Sequence, residues 1–374
     1  MALTNSVAPE QLTSRIYQRE EDLRGYYFRD TTAIIHSYPF RRLKHKTQVF
    51  FAPKNDHICT RIEHVMHVAT ISATICRALD LDVDLAWAIS LGHDLGHTPF
   101  GHVGEKIITE LVEGENGFVH ELYSLRVVDH LINYGRGLNL TYAVRDGIAG
   151  HCGEQFEREI QPDFSVKNLE EVTDRTIVPA TWEGVVVRTA DKIAYLGRDL
   201  EDALQLGVIK RHEIPGQIGE QLGASNSEII DTLVHDVVSH TRTHGIVGFS
   251  EAVFDTVLAL KEFNYSRIYN SPLLANYHSS FARILTSLFD YLFSLFRKYR
   301  FSGPEYKREE NLLAVRFGDY VSKMEEFYSR EEEREESPVI DYLAGMIDYY
   351  AIASVYEIMV PKQFSFQFDQ FLME

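Results

Sequence analysis

Thr60-Arg61-Ile62-Glu63-His64-Val65-Met66-His67-Val68-Ala69-Thr70-Ile71-Ser72-Ala73-Thr74-Ile75-Cys76-Arg77-Ala78-Leu79 brings an apolar side chain round every three or four residues. Val65, Val68, Ile71 or Ser72, Ile75 and Leu79 fall on one stripe, the 3.6-residue period of an amphipathic helix. Its opening, Thr60-x-x-Glu63, has the form of a capping box. A second helix is predicted over 84–94, with Ala86, Ile89 and His93 in register and Gly96 and Pro99 stopping it. A third follows over 103–112. The same period recurs over 120–135, 141–151, 182–206, 226–243, 250–265, 280–299, 310–330 and 338–358. Strand signals are few: Thr47-Gln48-Val49-Phe50-Phe51 reads as a short strand or an extended arm. Residues 152–180, with Pro162 and Pro179, read as an irregular insertion. The expectation is one all-α domain over 1–374, with a helical core at about 60–205, a C-terminal helical part at about 206–374, and few or no strands.

Composition narrows the function. The 374 residues carry 37 Lys and Arg against 55 Asp and Glu, a net charge of −18. Non-specific nucleic-acid binding and docking on anionic membranes both need a basic face, so both are disfavoured. Cys59, Cys76 and Cys152 are widely spaced, which argues against a disulfide framework and for a reducing compartment. The N-terminal stretch lacks an apolar core of the signal-peptide kind. The most apolar stretch, 284–296, is too short and too polar to span a bilayer. A cytoplasmic protein is expected. The acidic run over 325–336 reads as a solvated face or loop.

Nine of the 16 histidines lie between positions 57 and 151, about a quarter of the chain. The densest string is Gly92-His93-Asp94-Leu95-Gly96-His97-Thr98-Pro99-Phe100-Gly101-His102. His93 and Asp94, adjacent at a helix end, can reach one ion, and nitrogen and carboxylate donors together suit Mn, Fe, Co, Ni, Zn or Mg. Two further ligands are sought elsewhere. His64 lies near the inward stripe of the first helix; His64-Val65-Met66-His67 lacks the Glu of a metalloprotease helix. Asp191 follows the apolar run Val185-Val186-Val187, a costly place for a carboxylate unless it is paired or ligating. Tyr195, Arg198 and Asp199 share its helix face. That face is either a phosphate-and-sugar pocket or a surface ladder of ion pairs.

His64, His93-Asp94 and Asp191, in that order, resemble the HD-domain superfamily of metal-dependent phosphohydrolases. Within it the chain resembles the dNTP triphosphohydrolases. The segments that carry the resemblance are Lys46-Thr47-Gln48-Val49-Phe50, Thr60 to His64, Gly92 to His102, Phe118-Val119-His120-Glu121 with Ser124-Leu125-Arg126, Gly147-Ile148-Ala149-Gly150-His151, Ala190-Asp191-Lys192-Ile193-Ala194-Tyr195 with Asp199 to Ala203, and Asp341 to Asp348. The family often has Asp where this chain has Lys192, and Thr where it has Ile347. The vertebrate dNTP hydrolase with an HD domain shares the Asp-Lys pair.

The resemblance implies an HD-type helical core with peripheral helices. It implies one divalent metal per subunit, Mn²⁺ or Mg²⁺ first, on His64, His93, Asp94 and Asp191. It implies hydrolysis of a dNTP to deoxynucleoside and tripolyphosphate. The 5′-oxygen is a poor leaving group, so a general acid is needed. His102 is expected as proton donor, oriented by Glu105, with His120 in the phosphate and leaving-group region. Arg61 and Lys192 are expected on the phosphates, with Arg198 and Arg126 as weaker candidates. Tyr195 would sit below the sugar and exclude a 2′-hydroxyl, and Asp199 would accept from the 3′-hydroxyl. Gln48 is placed at base or sugar, and His97 at the phosphates or behind the metal ligands. Relatives suggest a homo-oligomer (dimer, tetramer or hexamer) and a possible activating nucleotide. Two alternatives remain: another HD phosphohydrolase, such as a 5′-nucleotidase or a cyclic-nucleotide or alarmone hydrolase, and a non-catalytic nucleotide sensor.

Overall fold

The computed structural model describes residues 3–51, 57–112, 117–153, 156–173, 175–330 and 333–360. Its main helices are α1 (Tyr26–His36), α2 (Arg61–Ala78), α3 (Val83–Gly92), α4 (Gly101–Leu111), α5 (His120–Arg126), α6 (Tyr142–Ala149) and α7 (Trp182–Gln205). They continue with α8 (Asn226–His244), α9 (Glu251–Asn264), α10 (Pro272–Tyr299), α11 (Leu312–Lys323), α12 (Ser337–Ala344) and α13 (Asp348–Met359). Two short strands, β1 (Glu159–Ile160) and β2 (Val247–Gly248), pair antiparallel, with Glu159 opposite Gly248. The fold is all-α.

Local chemistry sets the helix ends. Glu63 reaches back to the Thr60 N–H at 2.7 Å and opens α2. The Asp82 carboxylate accepts from the Asp84 and Leu85 N–H groups at 2.9 and 3.1 Å and opens α3. Thr181 Oγ1 accepts from the Gly184 N–H and opens α7. The α2 stripe is buried as its period requires, with Val65, Val68 and Ile75 wholly inaccessible. It packs on α3 and α7, and α6 closes the group against α3 and α7. Helix α7 is buried nearly all round at its centre, where Val185, Val186, Val187, Ala190 and Ile193 are fully inaccessible and Arg188, Thr189 and Asp191 are buried with them.

The C-terminal helices are tied to this core by buried polar groups. Asp348, at the start of α13, accepts from the Thr47 N–H at 3.0 Å and the Phe100 N–H at 2.9 Å. Lys46 Nζ donates to the carbonyls of His97 and Ala344. One apolar cluster runs from Val7 to Ala351. Among the described residues no helix is long and apolar enough to cross a membrane.

Several predicted elements differ in detail. Residues 47–51 form no strand, and only Thr47 bridges to Thr60. Region 120–135 is α5 followed by one wide turn over Val127–Leu131, and the chain then reverses through positive φ at Asn133 and Tyr134. Region 338–358 is broken between α12 and α13. Region 310–330 ends α11 at Lys323, with a separate turn over Glu325–Tyr328. In the irregular stretch 152–180, residues 154, 155 and 174 lie outside the described residues; the rest holds β1 and a short helical turn, Leu169–Glu171. Glu331 and Glu332 of the acidic run also lie outside them. Glu333 is not merely solvated: it holds Arg126 through two bonds of 2.9 and 2.7 Å.

Candidate active site

Four donors meet where α2, the end of α3 and α7 converge. His64 comes from α2, His93 and Asp94 from the turn that ends α3, and Asp191 from the middle of α7. His64 Nε2 lies 2.9 Å from Asp191 Oδ1. His93 Nε2 lies 3.7 Å from Asp94 Oδ1 and 3.8 Å from Asp191 Oδ1. His93 Nδ1 donates to the Ser90 carbonyl at 2.6 Å, which leaves Nε2 as a lone pair. That Nε2 is buried with no hydrogen-bond partner. Burial further holds His93 neutral. A lone pair facing two carboxylates is repulsive unless a cation lies between them, so the donor set fits a divalent metal.

Asp94 is clamped from behind. Arg61 Nη1 donates to its Oδ2 at 2.7 Å, and His97 Nε2 lies 3.0 Å from its Oδ1. Burial opposes its charge, but Arg61 and then His97 outweigh that and hold Asp94 well below the usual carboxylate range. The turn that carries these groups is fixed by Ser124, whose Oγ donates to the His93 carbonyl at 2.6 Å and accepts from the Gly96 N–H at 2.8 Å.

A second cluster lies alongside. Glu105 on α4 receives His102 Nδ1 at 3.2 Å, His120 Nδ1 at 3.0 Å and Arg175 Nη2 at 2.8 Å. Burial disfavours the His120 imidazolium, yet the carboxylates of Glu121 and Glu105 win and raise its pKa well above the ordinary value. Burial works against Glu105 too, but His120 and His102 hold it ionised. The His97 and His120 rings stack at 3.9 Å, joining the clusters. The His102 ring is 68% exposed, whereas His120 is buried.

Both clusters open on one cavity of about 1370 Å³, larger than the roughly 300–1,000 Å³ of an ordinary small-molecule site. Gln48, Arg61, His64, Asp94, His97, His102, Glu105, His120, Asp191, Tyr195 and Asp199 all line it. Lys192 does not: its Nζ pairs with Glu157 and sits 4.8 Å from the Phe156 ring. Arg126 is committed to Asp341 and Glu333, and Arg198 to Glu201. Arg61 reaches the wall, but Asp94 and the Thr47 carbonyl occupy its Nη1 and Nε. Asp199 accepts from Tyr269 Oη, and burial pushes its pKa up to about 7 against that bond.

Sequence reasoning assigned no role to Lys106, His151, Cys152, Arg175, Tyr269 or Tyr277, which also line the cavity. His151 closes Gly147-Ile148-Ala149-Gly150-His151, a segment that carries the family resemblance, and its place in the histidine-rich stretch is the available signal. Tyr269, in the turn after α9, and Tyr277, on α10, come from distant stretches of chain that carry no motif.

Comparison with known proteins agrees with this geometry. The HD domain profile matches residues 61–196, and the phosphohydrolase-associated domain profile matches 247–357. A deoxyguanosinetriphosphate triphosphohydrolase-like protein of Caldanaerobacter subterraneus subsp. tengcongensis is 37% identical, over 96% of this chain and 93% of its own. Proteins so named from Desulfatibacillum aliphaticivorans and Clostridium tetani are 44% and 34% identical, over 72% and 96% of this chain and 74% and 94% of theirs. A solved structure of a hypothetical protein from Aquifex aeolicus superposes at a TM-score of 0.39 with 19% identity, covering 83% of this chain and 70% of its own. That last likeness is too slight to carry an argument. Fold, site and profiles define the class, an HD-type phosphohydrolase that acts on a nucleotide with a divalent metal. Within that class, the chain belongs to the family of deoxyguanosinetriphosphate triphosphohydrolase-like proteins.

Proposed function

We propose that the protein hydrolyses deoxynucleoside triphosphates to deoxynucleoside and tripolyphosphate. The observation that carries this is one cavity lined by His64, Asp94 and Asp191 of the metal donors, by the Glu105-centred proton cluster and by the Tyr195/Asp199 pair. Water adds to the α-phosphorus, the bond to the 5′-oxygen breaks, and that oxygen takes a proton. A divalent cation on His64, His93, Asp94 and Asp191 supplies Lewis acidity toward the α-phosphate and a more acidic water.

The remaining work falls to side chains. His102 keeps Nδ1 on Glu105 and turns an exposed ring into the cavity, so its Nε2 is free to deliver the proton. His120, held charged by Glu105 and Glu121, offers a fixed imidazolium to the triphosphate. Lys106, and Arg175 shared with Glu105 and Glu121, add positive charge to the cavity lining, the part the sequence had given to Lys192. Arg61 and His97 hold Asp94 in place. Tyr195 and Asp199 face the sugar, where an unmade buried hydrogen bond favours deoxyribose over ribose.

The test is product analysis with each of the four dNTPs and with GTP, in Mn²⁺ or in EDTA. Deoxynucleoside plus intact tripolyphosphate, seen only with metal and not from GTP, supports the proposal. Release of orthophosphate or monophosphate, or binding without release alone or in nucleotide pairs, overturns it in favour of a nucleotidase or a sensor.

A further inference from the structure

We propose that His120, His151 and Cys152 form a second, thiolate-containing metal site that takes zinc and inhibits hydrolysis. One donor atom from each lies within 4.8 Å of the others. Cys152 Sγ is 3.8 Å from His120 Nε2. Tetrahedral zinc, with bonds of about 2.3 Å to sulfur and about 2.0 Å to nitrogen, sets such atoms roughly 3.5 Å apart, close to what the chain already provides.

The donors are pre-oriented. His151 is 1% exposed, and its Nδ1 bonds to the Ile148 carbonyl at 2.7 Å. Among the described residues it has no other hydrogen bond, so its Nε2 faces the cavity unpartnered. His120 places Nδ1 on Glu105, the carboxylate–histidine arrangement that supports metal ligands. Arg188 Nη1 donates to the carbonyls of Gly150 and Cys152, which pins the backbone that carries the thiol. Sulfur with two imidazoles selects a softer ion than the all-nitrogen-and-oxygen set at Asp94 and Asp191. Cys59 and Cys76 are buried, and no candidate metal group among the described residues includes either.

Binding displaces two protons to solvent, one from the Cys152 thiol and one from His120 Nε2, and leaves a thiolate and two neutral imidazoles on the ion. It also withdraws the His120 imidazolium from the cavity. That inhibitory consequence rests on the proposed hydrolase reading, whereas the binding does not.

The experiment adds Co²⁺, then Zn²⁺, to the full chain preloaded with Mn²⁺. A near-ultraviolet thiolate-to-cobalt band is expected in the wild type, bleached by Zn²⁺, retained in Cys59→Ser and absent from Cys152→Ser and His151→Gln. Mn²⁺-supported dNTP turnover of Cys152→Ser should match the wild type, while its half-inhibitory zinc concentration rises at least roughly tenfold. No band in the wild type, a band that survives Cys152→Ser, or unchanged zinc sensitivity overturns the site. Because the band needs no turnover, failure of the site and failure of the dNTP reading are told apart.

Discussion

The two histidine clusters use one side chain in opposite states. At the proposed metal end His93, and beside it His151, hand Nδ1–H to backbone carbonyls three residues back, Ser90 and Ile148. A carbonyl does not favour the imidazolium enough to offset burial. His93 is lowered, and burial, with His93 and His120 nearby, pushes His151 down to about 4. Both stay neutral, with Nε2 ready for a cation. At the acid end, His120 hands Nδ1–H to Glu105, and its charge survives equal burial. With no ion bound, the partner of Nδ1 decides whether a buried histidine rests neutral or carries a proton.

The largest effect should come from Asp94→Asn, which keeps the shape but leaves Arg61 and His97 without their anion. Turnover in Mn²⁺ is expected to fall to the EDTA background, with bound metal lost by elemental analysis. Glu105→Gln probes the other end. It should lower turnover by about 10²–10⁴-fold, the range of a proton-transfer contribution, while metal content stays at the wild-type level. Loss of metal in Glu105→Gln would break the contrast and make the clusters one unit.

Carboxylates repeat the lesson with opposite sign. Asp94 has the Arg61 guanidinium at 2.7 Å and is held ionised. Asp199 accepts from the neutral Tyr269 hydroxyl, and burial raises it to about 7. An unfolded Asp titrates near 3.9, so between about pH 4 and 7 the native chain holds a proton that the unfolded chain has lost. Stability from Asp199 is therefore full below that window and is lost as pH rises through it. The loss is a few kcal/mol at most, at about 1.4 per pH unit. Urea midpoints across this range should fall more steeply in the wild type than in Asp199→Asn. Parallel slopes would mean that Asp199 is ionised and that the contrast with Asp94 is false.

What the sequence disclosed follows from the range of each interaction. The α2 stripe and the end of α3 are local, set by period and caps; the stripe was legible, and the end, read at Asp94, falls at Gly92. His64, the His93-Asp94 pair and Asp191 stood out as polar groups beside apolar runs, and the fold brings them together. The failures are tertiary. Lys192 shares α7 with Asp191, yet Glu157, from an irregular stretch, draws its ammonium away from the cavity. The role of Arg126 depended on Asp341, 215 residues away. Tyr269 reaches Asp199 from 70 residues on.

The spacing between the clusters is itself set by one missing side chain. A Cβ on Gly96 would stand 2.2 Å from the Ser124 nitrogen and 2.7 Å from the His120 carbonyl oxygen. All three nearest atoms are backbone, so no rotamer relieves the clash, and α5 must move off the turn that carries His93 and Asp94. Gly96→Ala should destabilise the fold by about 1–3 kcal/mol, as overpacking does, read as a lower urea midpoint at unchanged slope. The same shift would pull the His120 ring from His97 while leaving His64 and Asp191, on α2 and α7, where they are. Metal content should therefore hold while turnover drops. Equal loss of both would show that the turn after α3, rather than the partner of each Nδ1, keeps the two clusters distinct.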